Sequence, residues 1–142
     1  MKRIVMAVLV LGVLAVTACG ASEARPRALR QGSESYLFEI LPEEAPPHAR
    51  QPIKYTVTVT DRKTHQRIEN GEGRIFANDS AGARTWDGFA YGPEVGTYHA
   101  TVNFTTSGTW AMALQFRRDS VHRIERIDWM QDILNERPSP NP

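Results

Sequence analysis

The most regular alternation of apolar and polar positions begins at Lys54, where Tyr55, Val57 and Val59 are interleaved with Thr56, Thr58 and Thr60. Successive side chains of an extended chain point to opposite faces, so this period of two predicts a strand with one buried face, ending at Asp61. Gly96 to Phe104 repeats the device, with Tyr98, Ala100, Val102 and Phe104 inward and Thr97, His99, Thr101 and Asn103 outward. Thr109 to Arg118 does so again, placing Trp110, Met112, Leu114 and Phe116 on one face and Ala111, Ala113 and Gln115 on the other. The turn residues Thr105 to Gly108 separate these two strands, and the spacing predicts an antiparallel hairpin across them. Ser35 to Leu41, Gly73 to Ala77 and Arg84 to Ala90 are weaker strand candidates, each bounded by Gly, Pro, Asn or Asp. About six short strands with polar turns predict an all-β fold, an antiparallel sandwich whose inner faces share one core.

The period changes near the end, where Ile124, Ile127, Met130 and Leu134 recur at spacings of three and four. That spacing predicts a short amphipathic helix over Arg123 to Glu136, stopped by Pro138, so that 121–142 is a C-terminal helix and Pro-rich tail. The simpler role for it is a lid over a sheet edge or an open end of the sandwich. The sharper one is partner docking led by Trp129.

The start of the chain follows a different logic. Lys2 and Arg3 precede an uncharged apolar run of thirteen residues, Ile4 to Val16, and then Thr17, Ala18 and Cys19. This charge, apolar, small-residue layout is that of a secretory signal over 1–18, and the run is shorter than the roughly 20 apolar residues a spanning helix needs. Val16-Thr17-Ala18-Cys19 resembles the bacterial lipobox, which implies cleavage before Cys19 and attachment of lipid to its thiol. Each buried methylene adds about 0.8 kcal/mol, so a multiply acylated Cys19 would hold the chain on a bilayer. Cys19 is the only cysteine, so its lipidation leaves no thiol for a disulfide, a metal site or a nucleophile. Residues 19–33 carry Arg25, Arg27 and Arg30 with Leu29 as the one large apolar side chain, and read as a flexible tether. The arginines either rest on anionic headgroups or are simply solvated. Residues 34–120 are then one sandwich domain.

Loss of the signal removes two of the 17 basic residues, which leaves 15 against 16 acidic ones and a net charge of −1. A balance so near neutral, in an exported chain, excludes a general electrostatic grip on nucleic acid.

Gly96-Thr97-Tyr98 through Phe104 to Gly108-Thr109-Trp110 and Leu114 resembles the YtkA-like and FixH-like group of small exported or membrane-attached domains. There a Gly-x-Tyr strand leads through a Gly-x-Trp turn into the last core strand, and Pro52 to Asp61 is similar to the group's early strand. The resemblance spans about Ser35 to Arg118 and implies an immunoglobulin-like sandwich. It also implies a neighbourhood of copper handling and respiratory-oxidase assembly. Such relatives often carry Met and His between the middle strands, whereas Arg74 to Arg84 has neither.

Within such a sandwich Tyr98 and Trp110 are core anchors before they are ligand-stacking groups. The four histidines, His48, His65, His99 and His122, lack the close local spacing of most metal sites. A soft copper site from His99, Met112, His122 and Met130 is the metal alternative, against solvated histidines and core methionines. Asp61, Glu69, Glu72, Asp79 and Asp87 fall at turns without the ligand spacing of an EF-hand. No nucleophile elbow, phosphate loop or dinucleotide fingerprint occurs. Asn78 to Pro93 is rich in rings, and Trp86, Phe89 and Tyr91 either fold back on the core or present a binding face.

The resulting expectation is a non-catalytic binding or accessory module without a cofactor, lipid-anchored through Cys19 to a bacterial inner or outer membrane and facing periplasm or exterior. Its partners are the bilayer and, as a candidate, an envelope protein; copper handling and a purely structural envelope role are the alternatives.

Overall fold

In a computed structural model of the chain, residues 26–138 are described; the signal segment and Cys19 lie outside them, as do the first part of the tether and the last four residues of the tail. Among the described residues nine strands are observed: β1 (Leu29–Gly32), β2 (Tyr36–Pro42), β3 (Pro52–Asp61), β4 (Glu72–Asn78), β5 (Arg84–Gly88), β6 (Ala90–Tyr91), β7 (Thr97–Asn103), β8 (Gly108–Arg117) and β9 (Glu125–Ile133). They form two antiparallel sheets, β1-β2-β3-β7-β6 and β5-β4-β8-β9. The expected sandwich is therefore present, with one core between the sheets.

The core is built by the inward half of each alternation. From the five-stranded sheet come Tyr36, Phe38, Ile40, Tyr55, Val57, Val59, Tyr98, Ala100 and Val102; from the four-stranded sheet come Ile75, Ala77, Trp110, Met112, Leu114, Phe116, Ile127 and Ile133. Apolar burial at about 25 cal/mol per Å² is the dominant favourable contribution here, and no disulfide supplements it, since Cys19 has no partner cysteine.

Three expectations are corrected. The C-terminal segment is a strand, not a helix: β9 pairs with β8 at nine positions, from Gly108 with Ile133 to Phe116 with Glu125. Ile124, Met130 and Leu134, three of the four residues that defined the helical spacing, are exposed. The competing signal was Arg126, Asp128 and Asp132 facing out between Ile127 and Ile133 facing in, a period of two that pairing with β8 selects. Second, β7 and β8 do not form a hairpin. They lie in different sheets, and the link between them crosses the sandwich with Phe104 and Trp110 packed edge to face at 5.2 Å between ring centres. Alternation establishes a strand and its inner face but does not choose its neighbour. Third, the segment read as tether ends in structure: Leu29 to Gly32 pair with Leu37 to Ile40.

Both seams between the sheets are closed by polar contacts. On one side, β6 covers only Tyr98 and His99 of β7, and β5 of the other sheet takes over. Asp87 accepts the Thr101 amide at 2.7 Å and Thr85 the Asn103 amide at 3.3 Å. Phe89, where the chain changes sheet, is held by its amide to the Gly73 carbonyl and packs on Tyr98 and Phe116. On the other side, Leu134 exchanges backbone hydrogen bonds with Pro47 and Ala49, and the buried Glu125 carboxylate accepts the Ser35 amide at 2.9 Å. Burial pushes the Glu125 carboxyl up, but hydrogen bonds from Ser33 and Ser35 outweigh it and the net direction is down.

Tyr98 links these parts. Its hydroxyl donates to the Ile68 carbonyl at 2.6 Å and accepts the Gly71 amide at 3.0 Å, which fixes the crossover from β3 to β4. Gly71 must be glycine for space: a Cβ there would lie 2.2 Å from the Phe116 ring.

Trp110 is 0% exposed and donates its indole N–H to the Thr106 carbonyl at 3.0 Å. Trp110→Ala is expected to lower unfolding free energy by about 3 to 5 kcal/mol in denaturant titration. The Tyr55 hydroxyl, by contrast, is buried without a hydrogen-bond partner among the described residues. Tyr55→Phe is therefore expected to be neutral or to stabilise by about 1 kcal/mol in the same measurement.

Candidate functional site

The outward half of the alternation on β4, β5, β8 and β9 builds the most chemically diverse surface of the molecule. Pairing places Trp86 beside Phe76, Phe76 beside Ala113, and Ala113 beside Asp128 in one row across the sheet. The flanking rows carry Arg84, Asn78, Ala111 and Met130 on one side, and Arg74, Gln115 and Arg126 on the other. The two alanines of β8 are small, so the larger side chains of β4 and β9 rise on either side of them. Trp86 and Met130 are 67% and 66% exposed, a concentration of apolar surface that charge does not cover.

Phe76 is flanked by two guanidinium groups, Arg126 at 5.0 Å and Arg74 at 5.5 Å from the ring centre, within the range of cation–π attraction. Arg126 is a fork to Asp128, with Nε 2.9 Å from one carboxylate oxygen and 3.1 Å from the other, and this raises its already high pKa. Arg74 donates to the neutral Gln115 amide oxygen at 2.9 Å. Toward the β4–β5 turn the surface dips into an open depression of about 400 Å³ lined by Arg74, Phe76, Asn78, Gly82, Arg84 and Trp86. Such a surface can stack an apolar ring face and grip an anion.

The three aromatic candidates go to three places. Trp86 faces out on this sheet, Phe89 turns in between Tyr98 and Phe116, and Tyr91 is exposed at the sandwich end, 5.9 Å from the Tyr98 ring. Nor are His99, Met112, His122 and Met130 brought together. His99 faces out of the five-stranded sheet, 3.2 Å from the Thr56 hydroxyl, and Met130 faces out of the opposite sheet. Met112 is 1% exposed in the core, and His122 sits in the β8–β9 loop against Asp119 at 2.7 Å. Among the described residues no three His, Cys, Asp or Glu side chains are grouped as a metal site would need. Phe76, Arg74 and Arg84 were missed, although the alternation of Gly73 to Ala77 and Arg84 to Ala90 puts them on one face once the two strands are paired; Arg126 was missed because its segment reads as a helix.

Two of the turn carboxylates, Asp79 and Asp61, are committed to backbone. Asp79 accepts the Ala81 and Ala83 amides and the Thr106 hydroxyl at 2.8 to 2.9 Å. Asp61 accepts the Thr64 and Lys63 amides at 2.9 and 2.8 Å, and also pairs with Arg118.

No family model and no curated protein matches the chain. A solved structure is similar in shape: a copper-bound glutamate-to-glutamine variant of FetP from a uropathogenic Escherichia coli strain. It superposes with a TM-score of 0.56 over 83% of this chain and 98% of that one, at 8% identity. A likeness at that identity establishes a shared fold.

The backbone amides of Thr64 and Lys63, followed by the Arg118 guanidinium, hold the Asp61 carboxyl below its ordinary 3.8, at about 2. A carboxyl with a depressed folded pKa contributes stability that is complete above the unfolded value and is lost as pH falls through the folded one. Stability measured from pH 4 down to pH 2 is therefore expected to fall less steeply in Asp61→Asn than in the parent chain.

Proposed function

We propose that this chain is a lipid-anchored, extracytoplasmic, non-catalytic binding or accessory module that presents the outer face of the β5-β4-β8-β9 sheet to its partner. The observation that carries the reading is the exposed aromatic and basic surface around Trp86 and Phe76, which stability does not require. The lipobox-like Val16-Thr17-Ala18-Cys19 supports the anchor. β1 begins ten residues after Cys19, so a fully extended connection of that length reaches at most about 36 Å and keeps the domain close to the bilayer.

Copper handling is the second reading, favoured by the fold shared with a copper-bound structure. His99, Met112, His122 and Met130 do not fit a common site, so this reading stands on the fold alone. In a Cu(I) titration, stoichiometric binding would promote it; absence of binding would remove it.

Intact-mass spectrometry of chain expressed in a bacterial host tests the anchor. The expected product begins at Cys19 and carries a thiol-linked lipid that Cys19→Ala lacks; an uncleaved or lipid-free wild type would refute it.

A further inference from the structure

We propose that the depression beside Trp86 binds a glycan chain bearing carboxylate groups, which names a ligand class for the binding module inferred above and rests on that reading. Charge is the first argument. The face carries Arg74, Arg84, Arg117 and Arg126 against the carboxylates Glu72, Asp128 and Asp132; Glu72 is spent on Arg117 and Asp128 on Arg126. Arg74 bonds to a neutral amide and Arg84 has no ion-pair partner among the described residues, so two guanidinium forks face the depression uncompensated. A fork of this kind accepts a carboxylate through two parallel hydrogen bonds.

Shape and surface chemistry are the second. Trp86, exposed on the strand beside Phe76, gives a flat apolar platform suited to the C–H face of a sugar ring. Asn78 adds an amide that can both donate to and accept from hydroxyl groups. A peptide strand would seek unpaired backbone groups at a sheet edge, and the edge strand here, β5, is turned to β7, whose Thr101 and Asn103 amides it binds through Asp87 and Thr85. A bilayer would need its aromatic contacts on a protruding tip, whereas the guanidinium groups here line a hollow in a sheet.

The test uses full chain purified from the bacterial envelope in mild detergent, titrated with oligogalacturonate and followed by tryptophan fluorescence and calorimetry. Saturable binding is expected, weakening as salt rises. Methyl-esterified oligogalacturonate, which keeps the rings and loses the charge, is expected to bind about tenfold more weakly, as is the free acid to Arg84→Gln or Trp86→Ala. Both substitutions lie on the exposed face, and an unchanged melting temperature verifies that each variant is folded. No binding of the free acid, equal binding by both variants, or preferential binding of polyglutamate or of phosphatidylglycerol vesicles would overturn the proposal. A chain that carries lipid on Cys19 yet ignores the acidic glycan would sink this inference and leave the anchor standing.

Discussion

The hydroxyl of Tyr98 sits where three constraints meet. It bonds to the backbone on both sides of the β3–β4 crossover, at Ile68 and Gly71, and its ring touches Phe89, Tyr91 and Phe116. The crossover delivers β4 to the opposite sheet, and β4 in turn carries Phe76 and Arg74. Burial pushes the Tyr98 phenol up, so the hydroxyl stays neutral and able to donate across the pH range in which proteins fold. A phenylalanine in its place would keep the ring contacts but leave the Ile68 carbonyl and Gly71 amide buried without this partner, at a cost of about 1 to 3 kcal/mol per orphaned group.

Closure of the sandwich follows from the same economy of side chains. A β-sandwich exposes strand edges, which are hazards for pairing with other chains. Here β5 belongs to one sheet by its backbone and to the other by Thr85 and Asp87, so one flank is sealed without a further strand. The opposite flank is sealed by Glu125 against Ser35 and by Leu134 against Pro47 and Ala49. These polar contacts leave the outer face of the four-stranded sheet uncovered, and the exposed Trp86 is there.

Much of this was legible in the residues. The alternations beginning at Lys54, Gly96 and Thr109 marked three strands and named their buried faces, and β2, β4 and β5 fell within two residues of the segments expected. Partner choice was not legible, because a period of two says which side is buried and nothing about what lies across it. Hence the expected β7–β8 hairpin became a crossover, joined by Phe104 and Trp110. The β9 error has a different origin: Ile124, Ile127, Met130 and Leu134 satisfy a helical period by coincidence, while Glu125 faces inward where an apolar residue would have revealed the strand. The candidate site was half visible. Trp86 was named in advance, but Arg74, Phe76 and Arg84 join it only through the pairing of β4 with β5, which is a property of the folded sheet.

That pairing leaves β4 with no idle position. Ile75 and Ala77 face the core while Arg74, Phe76 and Asn78 face outward, and β5 and β8 hold the strand in register from both sides. A slip of one residue would carry Arg74 and Phe76 toward the core and turn Ile75 out to water, exchanging interior for exterior along the strand. Register is thus discrete: the outer surface exists in full or not at all, and no partly shifted conformer can carry a weakened version of it.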